Sequence, residues 1–356
     1  MKRDNRLAKL YHELAKKRIE AVLISQSENR YYLSGFDGSD GILLITPQNR
    51  VLATDFRYIE QARRQAPDYE LFEISSSIRS WLPELIDGLN LKSLGFEAGH
   101  ITLTEYHRIK NILETLEPGF NLVPVEGLVE SLRAIKEPEE IELISRAVII
   151  ADSAFNYIAD TIHLDMTELE LAWEIEKFLR ERGSGPIPFD VIVASGPNSA
   201  LPHAKPSQRS IKPGEPVLID IGARFKYYGS DISRTICLGN PDDTLKKTYE
   251  TVLAAQLEAI AGITAGITGE QADTIAREAI RKAGFGDSFG HGLGHGLGLA
   301  PHEQPRLGQN SLDKLLDDTV FTVEPGIYLA GWGGVRIEDT VVMENGKIRV
   351  ISQTKK

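Results

Sequence analysis

At 356 residues, with 42% hydrophobic and 26% charged residues, the chain has the composition of an ordinary globular protein with room for two domains. A formal charge of −11 excludes a protein that tracks nucleic-acid phosphates through a basic face. A single cysteine, Cys237, excludes a disulfide framework and a thiolate metal site, and no run of about 18 apolar residues is present to span a membrane.

The first residues are basic but no apolar run follows, so no secretory signal is expected and the cytoplasm is the expected location. Residues 5–19 carry Leu7, Leu10, Tyr11, Leu14 and Ile19 at helical spacing. A strand at 21–24 follows, then a helical turn at 29–33 closed by Gly35. A hairpin is expected over 41–53, turning at Pro47-Gln48-Asn49. Helices at 58–66, 80–89 and 104–116 then alternate with strands at 71–74, 93–96 and 122–125, the pattern of an α/β layer. His12, His100 and His107 lie among charged residues and are expected at its surface.

Residues 124–130 read as a linker, which divides the chain into a domain over 1–127 and a second over 128–356. The second opens on a long helix over 137–162, with Pro138 in its first turn, where a missing N–H costs nothing. Thr167 and Glu170 form a capping box for the next helix, and Gly183 ends it. A strand at 189–194, helices at 244–261 and 270–283, and strands at 320–324, 335–343 and 348–351 complete the pattern. Cys237 falls in an apolar strand run and is expected to be a small buried hydrophobe.

Three segments carry candidate chemistry. The first, residues 216–238, reads as two strands joined by a short turn. A turn centred between Phe225 and Lys226 would set Asp220 directly opposite Asp231, with Cβ atoms about 4.5–5.5 Å apart. Two carboxylates so close repel and call for a neutralising partner such as a divalent cation, unless the turn merely happens to carry acids. The second segment, FGHGLGHGLGLAPHE at 289–303, places His291, His295 and His302 in a glycine-rich run, with His203 upstream. It contains neither a GxGxxG nor a phosphate-loop pattern, nor the HExxH pattern of zinc proteases. The third supplies Glu324 at the end of an apolar strand, and Arg336 and Glu338 two apart in a strand beginning at Val335, hence on one face. A structural Arg336–Glu338 ion pair is the plain alternative there. Together, Asp220, Asp231, Glu324 and Glu338 offer four negative charges and His295 one imidazole, which two divalent cations would balance. Oxygen-rich ligation of this kind suits manganese, with cobalt or zinc possible.

This set resembles the metal-dependent pita-bread peptidases: Xaa-Pro dipeptidase (prolidase), Xaa-Pro aminopeptidase and, more distantly, methionine aminopeptidase and creatinase. The matching stretches are SLRAIKEPEEIELI (131–144), FDVIVASGPNSALPHAKPS (189–207), LIDIGARFKYYGSDISRT (218–235), FGHGLGHGLGLAPHE (289–303), FTVEPGIY (321–328) and GVRIEDTVVM (334–343). The resemblance implies a small creatinase-like N-terminal α/β domain followed by a pita-bread fold, with antiparallel strands flanked by helices around a cleft. It implies that Asp220 binds one metal, that Asp231 and Glu338 bridge both, and that His295 and Glu324 bind the other. Glu324 would exchange protons with a metal-bridging hydroxide. His203 and His302 would hydrogen-bond the substrate carbonyl, His291 would line the pocket, and Arg336 would sit on the substrate side. Ser233 stands where the family usually has threonine and keeps the hydroxyl. The implied reaction is hydrolysis of the bond between an N-terminal residue and proline in a peptide substrate, by a homodimer, with no nucleic-acid or membrane partner. A non-catalytic binding protein on the same fold is the alternative, distinguished by loss of metal ligands.

Overall fold

The computed structural model describes residues 2–356, which divide into two compact units between Arg133 and Ala134. The first unit runs α1 (Lys2–Lys17), β1 (Ala21–Ile24), α2 (Ser27–Ser34), β2 (Ile42–Ile45), β3 (Arg50–Thr54), α3 (Ile59–Gln65), β4 (Glu70–Glu73), α4 (Ile78–Ile86), β5 (Ser93–Glu97), α5 (Leu103–Leu116) and β6 (Asn121–Val125). Its six strands form one mixed sheet in the order β4-β3-β2-β1-β5-β6. The helical returns make β1, β5 and β6 parallel, whereas the short Thr46–Asn49 turn makes β2 and β3 antiparallel. Central β1 is buried along its whole length, as a strand covered on both faces must be. His12, His100 and His107 are exposed, as expected. The stretch expected as a linker is bends and turns over 126–129, between the end of β6 at Val125 and a short helix, α6 (Glu130–Ala134).

The second unit continues with α7 (Pro138–Thr161), α8 (Glu168–Glu181), β7 (Ile192–Ser195), β8 (Pro216–Ile221), β9 (Arg224–Phe225), β10 (Tyr228–Gly229), β11 (Ile232–Cys237), α9 (Asp243–Gly262) and α10 (Gly269–Lys282). It closes with β12 (Gly294–Gly296), β13 (Glu303–Leu307), β14 (Val320–Val323), β15 (Gly326–Leu329), β16 (Gly333–Arg336), β17 (Asp339–Glu344) and β18 (Lys347–Val350). All its paired strands are antiparallel, and each half covers a sheet with two helices. In the first half, the apolar face of α7 (Ala151, Phe155, Ile158) and that of α8 (Leu171, Ile175, Leu179) bury a core with β7, β8 and β11. In the second half, α9 and α10 do the same over β13, β14 and β17. The Thr167–Glu170 capping box is formed, which fixes where α8 starts.

Three local expectations need correction. Asp220 pairs with Ser233, not with Asp231. The turn lies one residue further on, at Lys226-Tyr227, whose φ values of 46° and 77° are those of a two-residue hairpin turn that follows strand twist. Moving the turn centre by one residue shifts every pairing by two, so both acids keep the same face but become diagonal neighbours. The expected strand over 335–343 is broken: β16 pairs with β15, whereas β17 pairs with β14. The break lies at Ile337-Glu338, opposite Glu324-Pro325, where proline has no N–H to continue a ladder. Cys237 is half-buried, since it lies at the end of β11 where the sheet frays towards solvent.

Candidate dinuclear metal centre

Both halves of the second unit contribute to one cavity of about 930 Å³, and all nine site residues expected from sequence line it: Asp220, Asp231, His203, His291, His295, His302, Glu324, Arg336 and Glu338. Asp220 comes from β8, and Asp231 from the break just before β11. His295 comes from the middle of β12, and Glu324 and Glu338 from the two facing strand breaks. A residue released from a ladder is free to turn its side chain into the cavity, and this explains why both glutamates stand at interruptions.

Ligand atoms of Asp231, His295 and Glu338 all lie within 4.8 Å of one another. His295 Nε2 is 3.6 Å from Asp231 Oδ2 and 3.4 Å from Glu324 Oε1. Its Nδ1 is 3.0 Å from the Gly296 carbonyl, which can only accept, so Nδ1 carries the proton and the Nε2 lone pair faces the carboxylates. Glycine at 294 and 296 is required by close approach. A side chain there would strike the carbonyl oxygens of Thr322 and Gln304 respectively. Thr322 in turn receives the His295 N–H (3.1 Å) and donates to Glu324 Oε1 (3.0 Å).

Ser233 joins β11 to the segment that carries Arg336 and Glu338. Its hydroxyl donates to Glu338 Oε2 (2.7 Å) and accepts from Arg336 Nε (2.8 Å). Arg336 also pairs with Asp220 Oδ2 at 2.6 Å and donates to Tyr328 Oη and to the Pro202 carbonyl. Tyr328 Oη contacts His291 Nε2 at 2.9 Å, and His291 Nδ1 is tied to the Gly292 carbonyl. His302 lies tilted against His295, with ring centroids 4.2 Å apart, and both His302 and His203 are exposed at the cavity wall.

The electrostatics are those of a site built for cations. Burial, reinforced by neighbouring carboxylates, pushes Asp231 and Glu338 well above the usual carboxylate range. Burial also raises Glu324, although His291 and Arg336 oppose it. Burial lowers His291, His295 and His302, which favours neutral imidazoles. Asp220 Oδ1 and Glu338 Oε1 are buried with no hydrogen-bond partner among the described residues. Two orphaned carboxylate oxygens beside a carboxylate–imidazole cluster fit the donor set a divalent cation takes.

Residues 142–345 match metallopeptidase family M24, and residues 6–135 match the creatinase/prolidase N-terminal domain. This chain belongs to the M24 metallopeptidases. Its fold is close to that of an Xaa-Pro dipeptidase from Bacillus anthracis, with a TM-score of 0.95, 39% identity, and 99% of this chain and 98% of that one covered. It is also similar to an X-Pro aminopeptidase from Thermotoga maritima, with a TM-score of 0.85, 37% identity, and 97% and 98% covered. An Xaa-Pro dipeptidase of Pyrococcus horikoshii is 35% identical over 98% of this chain and 97% of its own length. The M24 members thus include both dipeptidase and aminopeptidase names, on one pita-bread architecture preceded by a creatinase-like α/β domain.

Sequence reasoning missed three supports of the centre. Tyr328, which links Arg336 to His291, stands at the end of the quoted FTVEPGIY stretch, four residues from Glu324. Asp273 and Arg277 on α10 form an ion pair at 2.7 Å. Arg277 then donates to the Phe289 and His291 carbonyls, and Asp273 accepts the Leu293 N–H. Their i,i+4 spacing reads in sequence as an ordinary surface pair. Buried Lys136 and Glu303 pair at 3.1 Å across 167 residues of chain, a relation that no local pattern reveals.

Proposed function

We propose that the protein hydrolyses the peptide bond between an N-terminal residue and proline, using two divalent cations held by Asp220, Asp231, His295, Glu324 and Glu338. The observation that carries this reading is the convergence of Asp231, His295 and Glu338 within 4.8 Å in a member of the M24 metallopeptidases. Cations there would supply Lewis acidity and a water of lowered pKa as nucleophile. Manganese is our choice, because carboxylate-rich ligation suits it. Proline specificity rests on the likeness to relatives named Xaa-Pro dipeptidases. A homodimeric assembly is proposed from the family resemblance of the sequence alone.

The chain's own residues then act as follows. Glu324, at the edge of the cluster, accepts the proton of the attacking water and returns it to the leaving nitrogen of proline. His203 and His302 donate to the scissile carbonyl oxygen as negative charge develops on it. Arg336 holds Asp220 and, through Tyr328, keeps His291 oriented at the cavity wall. The Xaa-Pro bond is a tertiary amide with no N–H, so recognition falls on the carbonyl and on the proline ring.

The deciding experiment compares manganese-loaded protein on Xaa-Pro and Xaa-Pro-Yaa peptides, with metal content measured by elemental analysis. Cleavage of the dipeptide with little turnover of the tripeptide identifies a dipeptidase, and the reverse an aminopeptidase. A protein that binds no divalent cation and cleaves neither is the non-catalytic alternative.

A further inference from the structure

We infer that Glu168, outside the cavity, is a positioning residue that fixes His203 by clamping both ends of the loop that carries it. The inference rests on the reading of His203 as a donor to the substrate carbonyl.

Glu168 is the first residue of α8 and is fully buried at 0% exposure. It does not line the cavity. Its Oε1 accepts from the Ser195 backbone N–H (2.7 Å), Ser195 Oγ (2.8 Å) and Asn198 Nδ2 (3.1 Å). Its Oε2 accepts from Asn198 Nδ2 (3.1 Å), the Ser207 N–H (3.1 Å) and Ser207 Oγ (2.6 Å). Every donor lies at one end or the other of residues 195–207, which leave β7 and carry Pro202-His203 near their middle. Backbone bonds add to the grip, since Leu169 N–H donates to the Ser207 carbonyl. At the apex, Arg336 Nη1 donates to the Pro202 carbonyl at 3.1 Å.

The His203 ring itself is exposed, and no side-chain hydrogen bond to a described residue holds it. Its placement therefore depends on where the backbone holds residue 203, and the clamp sets that. A carboxylate is the group the clamp needs. Ser195 and Ser207 each present an N–H to a different oxygen, so an amide of the same shape would turn its NH₂ towards one of them and release that end. Thr167 and Glu170 cap the helix start and so fix the root of the Glu168 side chain.

The test is Glu168→Gln in the manganese-loaded full-length protein, alone and combined with His203→Ala. Expected are faster hydrogen exchange confined to residues 195–207, unchanged metal content, and a kcat lowered about 10-fold with KM within about 2-fold. In the His203→Ala background, Glu168→Gln should lower kcat by no more than about 2-fold further, because both changes disable the same group. Unchanged exchange across 195–207 overturns the clamp, and a full additional loss on top of His203→Ala overturns its action through His203. If His203→Ala alone leaves kcat at the wild-type value, the assigned role of His203 fails, and the exchange measurement alone then decides whether Glu168 holds the loop. Should Glu168→Gln not fold, Ser207→Ala removes one clamp donor without leaving a buried charge unmatched, and the same outcomes apply.

Discussion

Arg336 and Asp220 form an ion pair at 2.6 Å, their side chains 3% and 13% exposed, where β16 meets β8. The guanidinium engages Asp220, Ser233, Tyr328 and the Pro202 carbonyl at once. Burial disfavours its charge, but Tyr328, Asp220, Glu324 and Glu338 outweigh burial and hold it firmly protonated. A lysine keeps the charge and loses the fork. Arg336→Lys is expected to leave metal content intact and to lower kcat on the order of 10²-fold through misplacement of its partners. Steady-state kinetics beside elemental analysis check this, and near-normal turnover would remove Arg336 from the machinery.

Asp220 has one oxygen on Arg336 and the other unpartnered among the described residues. Asp220→Asn keeps the shape and removes one ligand charge. Metal content per chain should fall and turnover should drop at least about 10²-fold, while the far-ultraviolet dichroism stays that of the wild type. Full occupancy with normal turnover would show that Asp220 is not a ligand.

The pH dependence of stability should be the reverse of the usual carboxylate case. Asp231, Glu324 and Glu338 titrate above their ordinary range because of burial first, and for Asp231 and Glu338 their carboxylate neighbours second. Groups whose folded pKa is raised contribute stability that is complete below the unfolded value, near about 4, and is lost as pH rises through the folded value. Metal-free protein should therefore lose stability as pH rises above about 4, and cations, which would replace those protons, should restore it. The rise in Tm on adding manganese is expected to be larger at about pH 7.5 than at about pH 5. An equal rise at both would contradict the raised values.

Lys136 and Glu303 tie the start of the second unit to the residue that follows His302, with side chains 1% and 4% exposed. Glu303 Oε1 also accepts the Ala300 N–H, so this pair holds the turn before His302. Lys136→Met leaves a buried carboxylate without its cation and should cost about 3–5 kcal/mol in urea unfolding. A loss under about 1 kcal/mol would place the pair among those that contribute little.

Much of this protein was legible in its residues. Helical periodicity, the Thr167–Glu170 capping box and the closing glycines marked the elements, because these signals are local. Five candidate metal-binding side chains in a recognisable order pointed to the centre, because cation chemistry restricts which donors can serve. Register was not legible, since a one-residue shift of the Lys226-Tyr227 turn keeps every side chain on its face and leaves the alternation unchanged. The break at Ile337-Glu338 was hidden too, because the proline that causes it stands on the facing chain segment, at Pro325. The supports of the site, Tyr328, Lys136–Glu303 and Glu168, depend on pairings between segments up to 167 residues apart. Residue types and spacing determined which donors the protein carries. Only the folded structure decided that Asp220 meets Ser233, through the position of the Lys226-Tyr227 turn, and Arg336, through packing between segments far apart in the chain.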